Sequence, residues 1–246
     1  SAGGLSILKE YGAEHVRTGR PILYTSVDSV FQVAAHEDVL APEKLYDLCR
    51  AAKSLTDEYD IARVIARPFV GDLQSGFRRT AGRKDFPVQP PQKTLLEGLI
   101  AKGYTVTAVG KISDLFAGRG ISASVATVDN HDGMEKVIAG LATQDTGLLM
   151  ANLVDFDMVY GHRKDAVGFG RALEEFDAWL PQLFKAMRTE DLLVICADHG
   201  CDPTTPGSDH TREYVPVLLW SKAMKRGRAL GDRQSFSDVA ATLADF

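Results

Sequence analysis

Cysteine is scarce in this chain. There are three, Cys49, Cys196 and Cys201, in 246 residues. The number is odd and the spacing fits neither a disulfide framework nor a zinc ribbon. A reducing cytoplasm is the simplest setting for such a chain, and Cys196, set in an apolar run, is expected to be a plain core thiol. No stretch approaches the ~20 consecutive apolar residues of a membrane span, and the first residues carry no signal-peptide pattern. Blocks of like charge are also missing. The formal net charge is −5, from 28 basic and 33 acidic residues, which argues against a nucleic-acid backbone as the main partner. A small phosphorylated ligand stays compatible, since it needs only a local cluster of Arg and Lys. Internal repeats and low-complexity segments are absent, and the pattern leaves the oligomeric state open.

What is present is a hydrophobic share of 45%, enough for one large core or two small ones. Short apolar runs at Pro21–Ser26, Ile61–Phe69, Tyr104–Gly110, Ile121–Val128, Thr146–Val154, Asp191–Ala197 and Val215–Ser221 read as strands covered on both faces. Helical stretches fall near Leu5–Tyr11, Pro42–Ser54, Lys93–Lys102, Asp132–Ala142, Ala166–Met187 and Ser235–Phe246. In the fifth, Leu173, Phe176, Leu180, Leu183, Phe184 and Met187 recur at helical spacing. Alternating strands and helices predict an α/β fold with a largely parallel sheet. Val70–Gln92 breaks the rhythm. It is rich in Gly and Pro, carries Arg78, Arg79, Arg83 and Lys84, and reads as a long irregular loop. A boundary is placed here, with residues 1–90 as one domain and 91–246 as another. Both ends of the chain read as cut, the first for want of a strand before its opening helix and the last inside a helix.

Three polar clusters follow consecutive predicted strands. Asp198-His199-Gly200 comes directly after Leu192–Ala197. In parallel α/β sheets, ligands sit outside the carboxyl ends of strands, although an Asp-His pair can equally be a turn with a capping carboxylate. After Thr146–Ala151 come Asn152, Asp155, Asp157 and His162. Asp155 and Asp157 alternate, so one should face a site and the other should not. A short glycine-containing turn could then fold Asp157 and His162 onto one ion. Asp209-His210 lies in the loop before Val215–Trp220 and could return to the same edge. Each cluster alone is compatible with a solvated loop. Together they offer Asp157, His162, Asp198, His199 and His210. Mixed oxygen and imidazole donors suit Mn²⁺ or Zn²⁺ better than Ca²⁺, and five are too many for one catalytic ion with open positions, which suggests a two-metal site.

The clusters resemble the metal-binding pattern of the alkaline phosphatase superfamily. Longer strings are similar to those of the phosphopentomutases: Tyr24–His36, Ala66–Phe69, Phe77–Thr80 with Arg83–Phe86, Val109–Asp114 and Asp198–His210. They run through nearly the whole chain in order. The resemblance implies an alkaline-phosphatase-like core with a largely parallel sheet and an α/β cap domain, so that 1–90 is part of a substrate-binding cap and 91–246 part of a metal-binding core. It also implies two Mn²⁺ ions (Zn²⁺ or another divalent cation being possible), one held by Asp157, His162 and His210 and the other by Asp198 and His199. The family's further Asp ligand and its phosphorylated Thr nucleophile have no counterpart in the 246 residues, so the chain alone is expected to be inactive. The implied reaction is an isomerisation. Phosphate moves between C1 and C5 of ribose or deoxyribose through a phosphothreonine and a sugar bisphosphate. Arg67, Arg79, Arg83 and Lys111 are candidates for gripping the sugar phosphate, since guanidinium forks match phosphate oxygens. Asp28 is the candidate acceptor for sugar hydroxyls. Each of these could instead be a surface charge. A phosphohydrolase on the same metal site, and a fragment that only binds metal or sugar phosphate, are the competing readings.

Overall fold

A computed structural model describes residues 6–26, 30–59, 61–207 and 209–246. The chain divides into two compact units, residues 1–90 and 91–246. Among the described residues, no helix is long and apolar enough to cross a membrane.

The first unit is built on a five-stranded mixed sheet. Strands β1 (Ile22–Ser26) and β2 (Val30–His36) pair antiparallel, and β2 pairs parallel with β3 (Arg63–Val70). Each face is closed by one helix. Helix α1 (Ser6–Thr18) brings Ile7 and Leu8 onto Ile22, Tyr24, Ala34 and Phe69. Helix α2 (Pro42–Thr56), with proline at its first turn where the missing N–H is harmless, lays Leu45 and Cys49 on Val33, Ala35, Val64 and Ala66. Burial pushes the Cys49 thiol up to about 11.

The segment after Val70, expected to be irregular, instead supplies the sheet edge. Strands β4 (Arg78–Arg79) and β5 (Lys84–Pro87) both pair antiparallel with β3. The register shifts by two between them, so residues 80–83 bulge opposite Arg67 and Pro68. Pro68 is fully buried in β3 and has no N–H to donate there, which is where proline interrupts a ladder. Tyr46 on α2 holds the bulge by donating to the Gly82 carbonyl at 2.8 Å.

The second unit carries a three-stranded parallel sheet. Its central strand β6 (Val106–Val109) lies between β7 (Ala123–Val125) and β8 (Leu148–Ala151). Helix α3 (Leu95–Ala101) precedes it and starts with a reciprocal capping box between Thr94 and Glu97. A single turn, α4 (Ile112–Leu115), follows β6, and helix α5 (Asn130–Thr143) runs between β7 and β8. The long α6 (Ala166–Ala186) comes next. Of its predicted apolar stripe, Leu183 and Met187 are buried but Leu173 is exposed, its place taken by Ala172.

Strands β9 (Leu193–Cys196) and β10 (Val217–Trp220) form a separate antiparallel pair, and α7 (Ser237–Asp245) follows. The α/β architecture therefore has its parallel pairing in β6–β8 and in β2/β3, with antiparallel pairing elsewhere. The expectation of strands covered on both faces does not hold for β8 and β9, which are only partly buried. In β9, paired on one side only, Cys196 is exposed rather than a core thiol.

Candidate metal centre

The five candidate ligands lie in the second unit, on the segments that leave β8 and β9 and on the loop that enters β10. The first segment is a π-helical turn, Phe156–Gly161. In such a turn each N–H bonds five residues back, and the His162 N–H reaches the Asp157 carbonyl at 2.9 Å. Asp157 and His162, five apart in sequence, are thereby stacked on one side, where an ordinary helix would turn them away from each other. Their side chains meet, with His162 Nε2 3.3 Å from Asp157 Oδ1. Asp155 faces away. Its backbone N–H donates to Asn130 Oδ1 at 3.0 Å and its Oδ2 accepts from the Asn130 N–H at 2.8 Å, pinning the turn to the start of α5.

The second segment follows β9. His199 Nδ1 lies 3.0 Å from the Gly200 carbonyl oxygen. A carbonyl only accepts, so Nδ1 is the donor and Nε2 is the ring atom turned toward the other candidate ligands, the orientation typical of a metal-ligating histidine. Asp198 Oδ2 is 3.7 Å from that Nε2. Gly200 and Thr211 form an isolated bridge, with the Thr211 N–H on the Gly200 carbonyl at 3.0 Å. This closes the loop and returns His210 to the same place, its Nε2 3.2 Å from Asp157 Oδ1. The three imidazoles stack in a row. His199 and His210 are 3.7 Å apart between ring centroids, and His162 and His210 are 5.0 Å apart.

Asp157, His199 and His210 each offer a ligand atom within 4.8 Å of the others. This trio differs from the expected grouping of Asp157, His162 and His210, although His162 touches the same Asp157 oxygen. Asp198 joins through His199. Oxygen and neutral nitrogen donors of this kind fit a divalent transition ion.

One neighbour, Cys201, has no role in the sequence reading. Cys201 Sγ lies 3.9 Å from Asp157 Oδ1. A Cβ on Gly161 would fall 2.1 Å from that sulfur. The only sequence signal for Cys201 was its place two residues after His199.

The candidate substrate residues divide between the units. Lys111, at the start of α4, reaches Met158 Sδ in the π-helical turn. Arg67, Arg79 and Arg83 belong to the first unit. Arg67 Nε donates to Gln32 Oε1 at 2.9 Å, and Arg79 Nη2 donates to the Tyr24 hydroxyl at 3.1 Å. Arg79 Nε is buried without a partner among the described residues, a donor in want of an acceptor. Burial, then the charges of Arg83 and Arg79, lower the Arg67 pKa. Arg83 differs from the other two, because its fork is taken by Asp85, with both bonds at 2.7 Å. Burial opposes ionisation of Asp85, but Arg83, with Arg63 and Arg67, holds its carboxyl below the usual range. Asp28 lies outside the described residues.

The description that matches residues 7–246 is the metalloenzyme superfamily. The chain belongs to that superfamily. Membership implies dependence on a divalent metal, in agreement with the donor set around Asp157. Among curated relatives, the phosphopentomutase of Syntrophotalea carbinolica is 59% identical over 245 residues, 100% of this chain and 62% of that protein. The phosphopentomutase of Carboxydothermus hydrogenoformans is 53% identical over 99% of this chain and 63% of its own length. That of Acetivibrio thermocellus is 52% identical over 100% of this chain and 63% of its own. The chain thus spans about three-fifths of the length of these relatives.

Proposed function

We propose that this chain is the sugar-phosphate-binding and metal-binding part of a phosphopentomutase, an isomerase that interconverts the 1- and 5-phosphates of ribose or deoxyribose. The observation that carries the reading is the convergence of Asp157, His162, Asp198, His199 and His210 from three separate segments. The names and identities of the relatives support it.

In this reading residues 91–246 are the metal-binding domain and residues 1–90 the substrate-binding cap. Asp157, His162 and His210 serve one Mn²⁺ and Asp198 and His199 a second, with Zn²⁺ as the alternative. Bound ions would neutralise phosphoryl oxygens as charge shifts during transfer. The protein's own part is positioning. The reciprocal Asn130–Asp155 clamp fixes the turn that carries Asp157. The Gly200–Thr211 bridge fixes His199 and His210. Lys111, beside Met158, is assigned to a phosphate oxygen. Arg67 and Arg79 are assigned to the sugar phosphate, and Asp28 to the sugar hydroxyls. Arg83 acts less directly, by occupying the Asp85 carboxylate that would otherwise draw on Arg67. The phosphate passes through a threonine and a sugar bisphosphate, as the family resemblance implies. Three scattered thiols and no disulfide framework suit a cytoplasmic setting.

The test is a full-length protein of the relatives' size, loaded with Mn²⁺ and given ribose 1-phosphate. The reading requires ribose 5-phosphate as the main product. Free phosphate in its place would make the protein a phosphohydrolase.

A further inference from the structure

The two arginines assigned to the sugar phosphate are held in an uncommon way. Tyr24 on β1 stands directly opposite Gln32 on β2. Arg67 on β3 is opposite Ala34, two residues along β2 from Gln32. Arg79 on β4 is opposite Phe69. Cross-strand partners and residues two apart share a sheet face, so Tyr24, Gln32, Arg67 and Arg79 lie on one face, the one that α1 packs against at Ile22, Ala34 and Phe69. Gln32 is 5% exposed and Tyr24 7%, so both acceptors are buried and their rotamers are set by packing.

Each takes one guanidinium N–H, Gln32 from Arg67 and Tyr24 from Arg79. Neither acceptor carries charge. A pair of part-buried arginines kept only for stability would be expected to meet carboxylates, as Arg83 and Arg63 meet Asp85 on the same sheet. A neutral acceptor fixes a fork's direction without cancelling its charge. Gln32 occupies the Nε of Arg67 and leaves the far edge of the fork for a ligand. Tyr24 occupies one Nη of Arg79, while Arg79 Nε remains buried without a partner among the described residues. Two adjacent guanidinium groups, each oriented by a neutral acceptor and with Asp85 acting on Arg67 only through space, suit a doubly charged tetrahedral oxyanion.

We propose that Gln32, together with Tyr24, is a positioning residue for phosphate-monoester recognition, aiming Arg67 and Arg79 at the dianion of the sugar phosphate. The inference rests on the proposed function and adds residues to it. Orientation of this kind acts on binding of the phosphate group, so its loss shows in KM and in phosphate affinity before it shows in kcat or metal content.

The experiment uses the full-length Mn²⁺ protein and measures KM and kcat with ribose 1-phosphate and binding of ribose 5-phosphate by calorimetry. Gln32→Met keeps the volume and removes the acceptor. Tyr24→Phe removes one oxygen and serves if the first variant folds poorly. Either should raise KM and the ribose 5-phosphate Kd roughly tenfold, the scale of one hydrogen bond to a charged group, with a much smaller change in kcat and unchanged metal content. Gln32→Glu, which supplies an acceptor but cancels charge, should weaken binding at least as much. If Arg67→Ala weakens binding while Gln32→Met and Tyr24→Phe leave KM and Kd alone, the positioning role is wrong and the binding assignment stands. If Arg67→Ala also leaves both unchanged, the assignment of these arginines to the sugar phosphate falls with it.

Discussion

Gly161→Ala is the substitution that probes most sharply how the metal centre is assembled. The added methyl would sit 2.1 Å from Cys201 Sγ and 3.0 Å from the Phe156 carbonyl oxygen. Non-bonded carbon and sulfur atoms settle near 3.5–4 Å, so the first contact overlaps by about 1.5 Å. Gly161 does not have the left-handed backbone that would penalise alanine by itself, and the effect is therefore one of space. Relief comes by rotating the Cys201 thiol away from Asp157 or by moving the loop after β9 away from the π-helical turn, and either disturbs the packing beside Asp157. Overpacking of this kind costs about 1–3 kcal/mol. Cys201→Ala removes the sulfur and leaves a small cavity, a cost of about 1 kcal/mol. In the double variant the methyl partly fills the sulfur's space, so the two costs should fall short of their sum by about 1–2 kcal/mol. Urea melts of the four proteins, with and without Mn²⁺, give the cycle, and the coupling should be larger with the ion present. Additivity within about 0.5 kcal/mol would mean that turn and loop do not meet as described.

Asp85→Asn tests the ion-pair cluster behind Arg67. Because Arg83, Arg63 and Arg67 hold the Asp85 carboxyl below its usual range, its stabilisation is complete above the unfolded value near 3.9 and is lost as pH falls through the lower folded value. The variant should lose about 1–2 kcal/mol at pH 7, and the gap to the parent should narrow as pH falls below the unfolded value, as read from urea melts at neutral and acidic pH; an equal gap at both would refute the linkage. Thr94→Ala removes the hydroxyl that caps α3 and should cost about 1 kcal/mol, read as a lower midpoint in urea. His199→Ala in the full-length protein should abolish mutase turnover and lower metal content while circular dichroism stays unchanged. Near-normal turnover would refute the metal assignment.

The elements that could be read from sequence were those whose own residues decide them. The apolar runs of β1, β3 and β6–β10 and the helical stretch of α2 are visible in their own residues. Strand β2 did not, because Gln32 and His36 interrupt its apolar pattern, and both are polar side chains buried for what they bond rather than for hydrophobicity. Strands β4 and β5 are two and four residues long, rich in Arg, Lys and Pro, and exist only because β3 offers an unpaired edge. Such tertiary pairing overrides local propensity. At the candidate metal centre the donor side chains and their place after β8 and β9 were legible. The π-helical turn was not, since nothing in Phe156–Gly161 marks five-residue hydrogen bonding. Yet that turn is what brings His162 over Asp157. The fate of Arg83 was hidden for a similar reason, as its partner Asp85 lies two residues away and looks in sequence like one more charge in a loop.

In the proposed function, carboxylates and imidazoles of the second unit bind divalent ions. Electron-spin-echo spectroscopy of the Mn²⁺-loaded protein measures this directly, because histidine nitrogens bound to Mn²⁺ modulate the echo. Nitrogen modulation should be present in the parent, weaken in His199→Ala and in His210→Ala, and vanish in the triple variant that adds His162→Ala. Tight Mn²⁺ binding with no nitrogen signal, or a signal indifferent to these substitutions, would place the ion elsewhere and contradict the account.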